Sequence, residues 1–375
     1  MRILSRIGIS SVLALCVVAG SAYAAPPDAP SGPAGQLYVP EVQNDTIAVI
    51  DTATNTVTDR IPTGPITKPG VLAVTPDAKK VYSGNFGFTP PSVTVIERPS
   101  NTTKHIPIEG PALGIFTSRD GKEIFVPELG YVIEVIDVAT DTVVRKIRFP
   151  DLGGGRLPDI PAGAIQGPDG LLYVGYTQSG IIQAIDPVTG NTVRPPLIVG
   201  GVASFWYTFS KDGSKMYVDS INSLSVVDMK EWRVTKLIHT SPDGNWTPGN
   251  PGAFVSTLSP DGSKLYVTLF GGKDILIVDT TKDEVIGRIP TSGSATAIEF
   301  SADGTRGYIT DVGPSTNPYV GPIPEMVLFA NLVTAGIGLT PGQVIVFDPR
   351  TDQLVGDPIP LKIGLGVPAW LPHVG

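Results

Sequence analysis

An all-β, seven-bladed β-propeller is the fold class that this sequence of 375 residues predicts, and three features support it. A short hydrophobic strand with a central aromatic residue recurs at intervals of about 40 to 50 residues. Most copies follow a tight Asp-Gly turn and precede a second hydrophobic strand that ends in an acid. Because no copy can bury its apolar face alone, we expect the copies to pack as blades of one ring. The aromatic residues of the seven copies are Tyr38, Tyr82, Phe125, Tyr173, Tyr217, Tyr266 and Tyr308.

The unit at residues 253–290 has the fewest insertions and shows the four strands of a blade in order. Its first two strands are joined by Asp261 and Gly262, and glycine accepts the positive φ that such a turn requires. The acid that closes each third strand is expected to accept hydrogen bonds from the amides of its own turn. These acids are Asp51, Glu97, Asp137, Asp186, Asp228, Asp279 and Asp348.

The two ends of the repeat are complementary. Residues 36–40 form a second strand with no inner strand before it, whereas residues 366–371 form an inner strand with nothing after it. We therefore expect the C-terminal strand to join blade one and close the ring, which removes the free sheet edges. In this prediction residues 36–375 are a single domain.

Three segments resemble the repeat of the YVTN family of seven-bladed β-propellers. They are LYV at 37–39, VIDTATN at 49–55 and IVDT at 277–280. The resemblance covers residues 36–375. Members of the family include surface-layer proteins, periplasmic binding proteins and non-catalytic partners of cofactor enzymes. The resemblance therefore implies the fold and leaves the function open.

The N-terminus has the pattern of a secretory signal peptide over residues 1–24, with arginines at its start, an apolar middle and a small-residue cleavage site at its end. The only cysteine, Cys16, lies inside this segment, so the mature domain is expected to contain no disulfide. Residues 25–35 are rich in Pro, Gly and Ala and predict a flexible leader. We expect an exported protein, periplasmic or secreted, with no transmembrane segment and a monomeric state.

The charge balance disfavours nucleic acid as a general partner. The formal net charge is −8 at pH 7, and a net acidic surface repels phosphate backbones. Single-strand nucleic-acid binding nevertheless has precedent among periplasmic relatives that this chain resembles. It is kept as the second alternative function.

The irregular connections are predicted to lie on one face of the ring, opposite the Asp-Gly turns. They include an apolar insertion at residues 312–341 in the last blade, for which the sequence predicts a short helix over about 324–335. Met326, Leu328 and Phe329 are its candidate lid residues. The insertion could plug the channel mouth, cover a ligand pocket or dock a partner.

Four polar residues end the second strands of consecutive blades on this long-loop face: Glu41, Asn85, Glu128 and Asp311. Together they could form an oxygen-rich rim suited to Ca²⁺, with Glu41, Glu128 and Asp311 as metal ligands. They could equally be separate strand ends. The arrangement is similar in chemistry to calcium-dependent lactonases on six-bladed propellers, although the inner strands here are apolar and Glu299 is their one clear acid.

Nucleophilic and redox catalysis have little support in the sequence. Only three histidines are present, and His239, which precedes a long loop, is the only one considered as a base. Haem or copper sites would need more His, Met or Cys than the chain contains. Aromatic residues near the long-loop face offer a ligand platform, with Tyr176, Trp206 and Trp246 as candidates.

The leading hypothesis is a non-catalytic, exported propeller that binds a protein partner or a small ligand on its long-loop face. The first alternative is a lactonase- or lyase-type enzyme with a polar or cation-binding pocket at the channel mouth. The positions of the polar side chains distinguish the two hypotheses, because an enzyme needs several polar groups within a few ångströms of one point.

Overall fold

The computed structural model describes residues 34–150, 159–204, 206–221, 223–240, 252–313 and 340–373. Their strands form seven separate antiparallel sheets, which confirms the predicted seven-bladed propeller. One short 3-10 helix, Val42–Asn44, lies among the described residues. No helix in these ranges is long and apolar enough to cross a membrane.

The blades are numbered in chain order, and the strands of each are given from the inner edge outwards. Blade 1 contains Ala369–Leu371, Gln36–Glu41, Thr46–Asp51 and Thr56–Pro62. Blade 2 contains Pro69–Val74, Lys80–Asn85, Ser92–Glu97 and Thr102–Pro107. Blade 3 contains Phe116–Thr117, Glu123–Glu128, Val132–Asp137 and Thr142–Arg148. Blade 4 contains Pro161–Gln166, Leu172–Tyr176, Ile181–Ile185 and Thr192–Ile198.

The remaining three blades follow the same order, and only blade 7 departs from four strands. Blade 5 contains Trp206–Phe209, Lys215–Ser220, Ser223–Asp228 and Arg233–His239. Blade 6 contains Gly252–Leu258, Lys264–Phe270, Asp274–Asp279 and Glu284–Pro290. Blade 7 contains Ala295–Phe300, Gly307–Asp311 and Pro341–Asp348, and its outer edge is made of the short strands Gln353–Leu354 and Ile359–Ile363.

The C-terminal strand closes the ring as predicted, but it is shorter than the sequence suggested. Ala369–Leu371 pairs antiparallel with the start of Gln36–Glu41. The two residues expected to begin this strand bond elsewhere: the Gly366 amide donates to the Pro40 carbonyl at 3.0 Å, and the Val367 amide donates to the Gly70 carbonyl at 2.9 Å. The C-terminal segment therefore joins blade 1 to blade 2 before it completes blade 1.

The core lies within and between the blades. The repeated aromatic residue of every second strand is at most 1% exposed, and the middle strands are almost entirely buried. The outer strands alternate between buried and exposed positions, as Glu284–Pro290 does near its end. This pattern places the polar edge of each blade outward and leaves the inner strands to line the axis of the ring.

The short turns confirm the predicted roles of their acids. Asp279 accepts hydrogen bonds from the amides of Thr281 at 2.8 Å and Lys282 at 2.9 Å, and the acids Asp51, Asp137, Asp186, Asp228 and Asp348 bind their own turns in the same way. Glu97 differs, because its carboxylate contacts Lys104 instead. In the Asp-Gly turns the glycine adopts a positive φ, for example +80° at Gly262.

Neighbouring blades are also joined by a polar contact that we call the clasp. In the blade 5–6 clasp, Lys215 Nζ lies 2.8 Å from Asp283 Oδ2 and the Tyr217 hydroxyl donates to Asp283 Oδ1 at 2.8 Å. Asp283 sits in the turn between the third and outer strands of blade 6, with a φ of 55°. Equivalent clasps join Lys80, Tyr82 and Asp141, and Lys264, Tyr266 and Asp352. The sequence signal, Lys-x-Tyr in one blade and an acid late in the next, was missed in the sequence analysis.

Candidate functional site: the central channel

The inner strands line a central channel that is divided into two chambers. The long-loop chamber lies towards the face that carries the irregular connections and encloses about 60 Å³. Residues from blades 2 to 7 and from the C-terminal segment line it, and most are apolar. Its largest side chains are Phe86, Phe116, Trp206 and Phe254. The short-turn chamber, of about 400 Å³, lies towards the Asp-Gly turns.

Two aromatic rings form the boundary between the chambers. Phe116 and Trp206 line both of them, and their ring centroids are 5.5 Å apart with planes tilted by 54°. The Trp206 indole nitrogen donates to the Ser256 carbonyl of blade 6 at 3.1 Å. Trp206, a predicted platform residue, therefore does lie in the channel. Its ring is held by a neighbouring blade.

A buried acid fixes the strand that holds this indole. Asp219 Oδ2 accepts hydrogen bonds from the Ser256 amide at 3.1 Å and the Ser256 hydroxyl at 2.6 Å. Burial raises the pKa of Asp219 to about 7, against the lowering effect of the Ser256 hydrogen bonds. Asp219 was not predicted from the sequence, although a charged residue inside an otherwise apolar second strand was the available signal.

Glu41 and Asn85 end their second strands as predicted, but each is engaged within its own surroundings. Glu41 is fully buried, lies 3.1 Å from the Arg60 guanidinium, and accepts a hydrogen bond from the Lys362 amide at 3.0 Å. The Asn85 side-chain amide donates to the Thr94 hydroxyl at 2.9 Å. Glu41 therefore links blade 1 to the outer edge of blade 7, and Asn85 links two adjacent strands of blade 2.

Asp311 has the most complete set of partners of the predicted rim residues. One carboxylate oxygen accepts from the Ser292 amide at 2.8 Å and from Gln343 at 3.0 Å. The other accepts from the amides of Gly293 and Gly313, both at 3.0 Å. This carboxylate joins the blade 6–7 connection to the start of the long insertion.

Glu128 belongs to a pair of buried carboxyl groups in blade 3. Its Oε2 atom accepts a hydrogen bond from the Gly110 amide at 2.6 Å, and Glu134 on the adjacent strand lies beside it. Burial, reinforced by the Glu134 charge, raises the pKa of Glu128 to about 8. Lys146 neutralises Glu134 from the outer strand at 2.6 Å. This environment favours the protonated form of Glu128 over its carboxylate.

The structure does not bring Glu41, Asn85, Glu128 and Asp311 together at one point. Within the described ranges, no group of three or more His, Cys, Asp or Glu side chains is arranged to hold a metal ion. The physical reason is that the strand ends lie in separate blades, where amides and cations of nearby loops occupy their oxygens. A functional role for any of the four stays a prediction.

The other candidates are distributed away from the chambers or lie beyond the described residues. Tyr176 is fully buried, its hydroxyl donates to Gln183 at 2.5 Å, and its ring packs edge-on against Phe149, so it belongs to the core and not to a platform. His239 is exposed at the end of the outer strand of blade 5. Trp246, Met326, Leu328 and Phe329 lie outside the described residues.

The fold and this channel define a seven-bladed β-propeller, and comparison with known proteins supports that class. No family model and no curated protein sequence matches the chain. Among solved structures it is similar to the periplasmic gluconolactonase PpgL of Pseudomonas aeruginosa, with 15% identity and a TM-score of 0.67 over 90% of this chain and 99% of that one. A protein from Lactobacillus plantarum is also similar, with 14% identity and a TM-score of 0.69 over 90% of this chain and 99% of that one.

A third similar structure is the hydrazine synthase of Kuenenia stuttgartiensis, with 20% identity and a TM-score of 0.62 over 75% of this chain and 93% of that one. At these identities the likeness shows a shared fold alone. The resemblance to the YVTN repeat family stays a prediction, because no family model matches.

Proposed function

We propose that this protein is an exported, non-catalytic binding protein that takes an apolar group of a small ligand into the long-loop chamber. One observation carries the proposal: the chamber is lined by apolar side chains and flat rings from around the ring, and its described lining contains no charged side chain. Small-molecule sites are typically concave, mostly apolar and preformed. The export part rests on the signal-peptide pattern at residues 1–24.

The chamber is preorganised by the closed ring. Trp206 is held through Ser256 and Asp219, so its ring is fixed before a ligand arrives. On the wall contributed by blade 7, the Thr296 hydroxyl is already bonded to the Thr310 hydroxyl at 2.7 Å. A rigid apolar site loses little conformational entropy on binding, which favours an apolar ligand group over a polar one.

Catalysis is less well supported than binding. No nucleophile, general base and oxyanion donor converge on the described lining of the long-loop chamber. A lactonase activity like that named for the Pseudomonas aeruginosa neighbour stays an alternative, tested by lactone hydrolysis with added Ca²⁺ and again after EDTA treatment. Sustained turnover would overturn the non-catalytic part of the proposal.

The binding test uses N-phenyl-1-naphthylamine, a neutral apolar dye whose fluorescence rises when it leaves water. Because the chamber has a volume of about 60 Å³, only the phenyl end of the dye is expected to enter it. Leu113 is half-buried and lines only the long-loop chamber, so Leu113→Trp should fill it and weaken dye binding at least about tenfold. The matched control is Val188→Trp, at a position 65% exposed in a short turn of blade 4. The control should bind the dye like the unmodified protein.

Two results would overturn the proposal. One is no saturable dye binding by the unmodified chain. The other is equal dye affinity in Leu113→Trp and Val188→Trp, which would show that the dye binds elsewhere on the surface.

A further inference from the structure

The lining of the short-turn chamber contains an acid, whereas the described lining of the long-loop chamber contains none. Its lining is otherwise built from apolar residues of the inner strands and the C-terminal segment, together with the hydroxyl of Thr117. Glu299, in the inner strand of blade 7, is the only charged side chain of the described lining. A single carboxyl group in an apolar cavity of about 400 Å³ requires an explanation.

Glu299 is half-buried and lacks the partners that explain the fully buried acids. Asp311 and Glu41 each accept several hydrogen bonds, and Asp283 is paired with a lysine. No lysine or arginine of the described ranges forms an ion pair with Glu299, and only the Phe300 amide lowers its pKa. Burial dominates and raises the pKa of Glu299 to about 8. Apart from the Phe300 amide, the described residues give this carboxyl group no partner.

Aromatic rings surround the same cavity. Phe116, Trp206 and Trp370 all contribute to its walls. The faces of such rings carry negative electrostatic potential and attract organic cations, most strongly in desolvated sites. A carboxyl group and three rings form the combination that recognises an ammonium group with an apolar body.

We propose that the short-turn chamber binds an organic ammonium ion, whose cationic head pairs with Glu299 and whose apolar body packs against Phe116, Trp206 and Trp370. A bare divalent metal does not fit this lining, because Ca²⁺ takes six to eight oxygen ligands and Mg²⁺ an octahedral set. An anion is repelled by the carboxylate. A neutral apolar molecule would leave the carboxyl group unpaired.

The site has a defined pH dependence. The ammonium ion pairs with the ionised form of Glu299, so binding must release the proton that the empty site holds below about pH 8. Affinity should therefore rise with pH up to that value and then level off. Tyr308, opposite Glu299 in the strand register, has a pKa raised to about 12 by burial and stays neutral.

The remaining neighbours of this strand do not disturb the titration. Gly252–Leu258 and Ala369–Leu371 contain no titratable side chain. In the second strand of blade 6, Lys264 is already paired with Asp352 at 2.7 Å, and the Tyr266 hydroxyl is bonded to the same carboxylate. The pH profile of ammonium binding consequently reports Glu299.

The test is isothermal titration calorimetry of the whole mature chain with 2-phenylethylammonium, compared with 2-phenylethanol, which has the same apolar body and no charge. The ammonium should bind at least about tenfold more tightly than the alcohol near pH 8, because it adds a charge-assisted hydrogen bond. Glu299→Gln should remove this preference and leave the alcohol affinity within about twofold. Glu231→Gln, in an exposed turn of blade 5, is the matched control and should retain the preference.

Folding failure does not confound the test. A glutamine at position 299 removes a buried ionisable group, so the thermal midpoint of this variant should not fall by more than a few degrees. If the midpoint falls further, the unmodified protein still tests the proposal, because its relative affinity for ammonium and alcohol and its pH profile do not depend on the variant. Equal affinity for the two probes, or a flat profile between about pH 6 and 8, would overturn the proposal.

This site is independent of the proposed function. Leu113→Trp fills only the long-loop chamber, so it should abolish dye binding and leave ammonium binding intact. Glu299→Gln should remove the preference for the ammonium ion and leave dye binding intact. Failure of one site is thus distinguishable from failure of the other.

Discussion

The blade 5–6 clasp allows a quantitative prediction for Tyr217→Phe. The tyrosine ring is fully buried, and its hydroxyl donates to Asp283 Oδ1 at 2.8 Å. Burial, strengthened by the Asp283 carboxylate, raises the pKa of Tyr217 far above its usual value, so the phenol is a donor at every practical pH. Phenylalanine keeps the ring packing and deletes only this donor. Lys215 still holds the carboxylate, at 2.8 and 2.9 Å.

The loss is therefore one hydrogen bond to a charged acceptor, worth about 1.5 to 3 kcal/mol. Because Asp283 keeps its lysine, we expect the lower part of this range, about 2 kcal/mol. For a domain of this size, with an unfolding entropy of roughly 2.1 cal/mol/K per residue, that corresponds to a fall of about 3 °C in the thermal midpoint. Calorimetry or circular dichroism at neutral pH can measure such a shift.

A double-mutant cycle with Asp283→Asn separates the hydrogen bond from other effects of the two substitutions. The coupling free energy between the two positions should exceed about 1 kcal/mol. The control is Lys79→Gln, since the Lys79 side chain is more than half exposed and only 3.6 Å from an equally exposed Asp77, and it should change the midpoint by less than 1 °C. A coupling near zero, or a Tyr217→Phe midpoint equal to that of the control, would refute the role assigned to the clasp.

Three further predictions concern titration and ring closure. Burial tends to raise the pKa of Asp141, but its bonds to Lys104, Lys80 and a tyrosine outweigh this and lower it. Its stabilising effect is thus present above the unfolded pKa and lost as pH falls through the lower folded value. Asp141→Asn should therefore be destabilised near pH 7 in urea unfolding, and its deficit relative to the unmodified protein should shrink as pH falls below the unfolded Asp pKa of about 4. The pH dependence of Glu128 runs in the opposite direction. With a folded pKa of about 8, its contribution to the free energy of unfolding is lost as pH rises from the unfolded pKa through that value, so Glu128→Gln should flatten the fall in stability between about pH 5 and 8.5. An unchanged slope would contradict the buried carboxyl pair. Ending the chain after Leu365 removes the inner strand of blade 1 and should lower the thermal midpoint by more than about 10 °C, whereas an unchanged melt would mean that closure contributes little.

The residues that repeat were readable in advance because their roles are local. An acid before a turn, such as Asp279, and a glycine with positive φ, such as Gly262, satisfy their own few neighbours in any blade. Ring closure was predictable for a related reason: an incomplete first unit and an unpaired last strand leave only one arrangement without free edges. The exact start of that strand was not, because Val367 bonds to Gly70 in another blade.

The candidate site was harder to predict because it depends on contacts between blades. The sequence brought Glu41, Asn85, Glu128 and Asp311 to the same structural position. Equivalent positions in a ring lie in separate surroundings, and each of the three acids has its own set of local partners. Tyr176 was expected at a surface and lies in the core. Asp219 carried no local signal of its partner, since Ser256 lies in the next blade.

The fold class, the number of blades, the turn chemistry and the way the ring closes could be read from the sequence, because they follow from periodic hydrophobicity and short-range hydrogen bonding. Which side chains face the axis could not be read from it. The tertiary structure placed Phe116 against Trp206 as the boundary between two chambers, and it gave Glu299, in one of them, no counter-ion among the described residues. The physical reason is that the lining of a propeller channel takes one or two residues from each blade, and no local pattern along the chain records which of them meet.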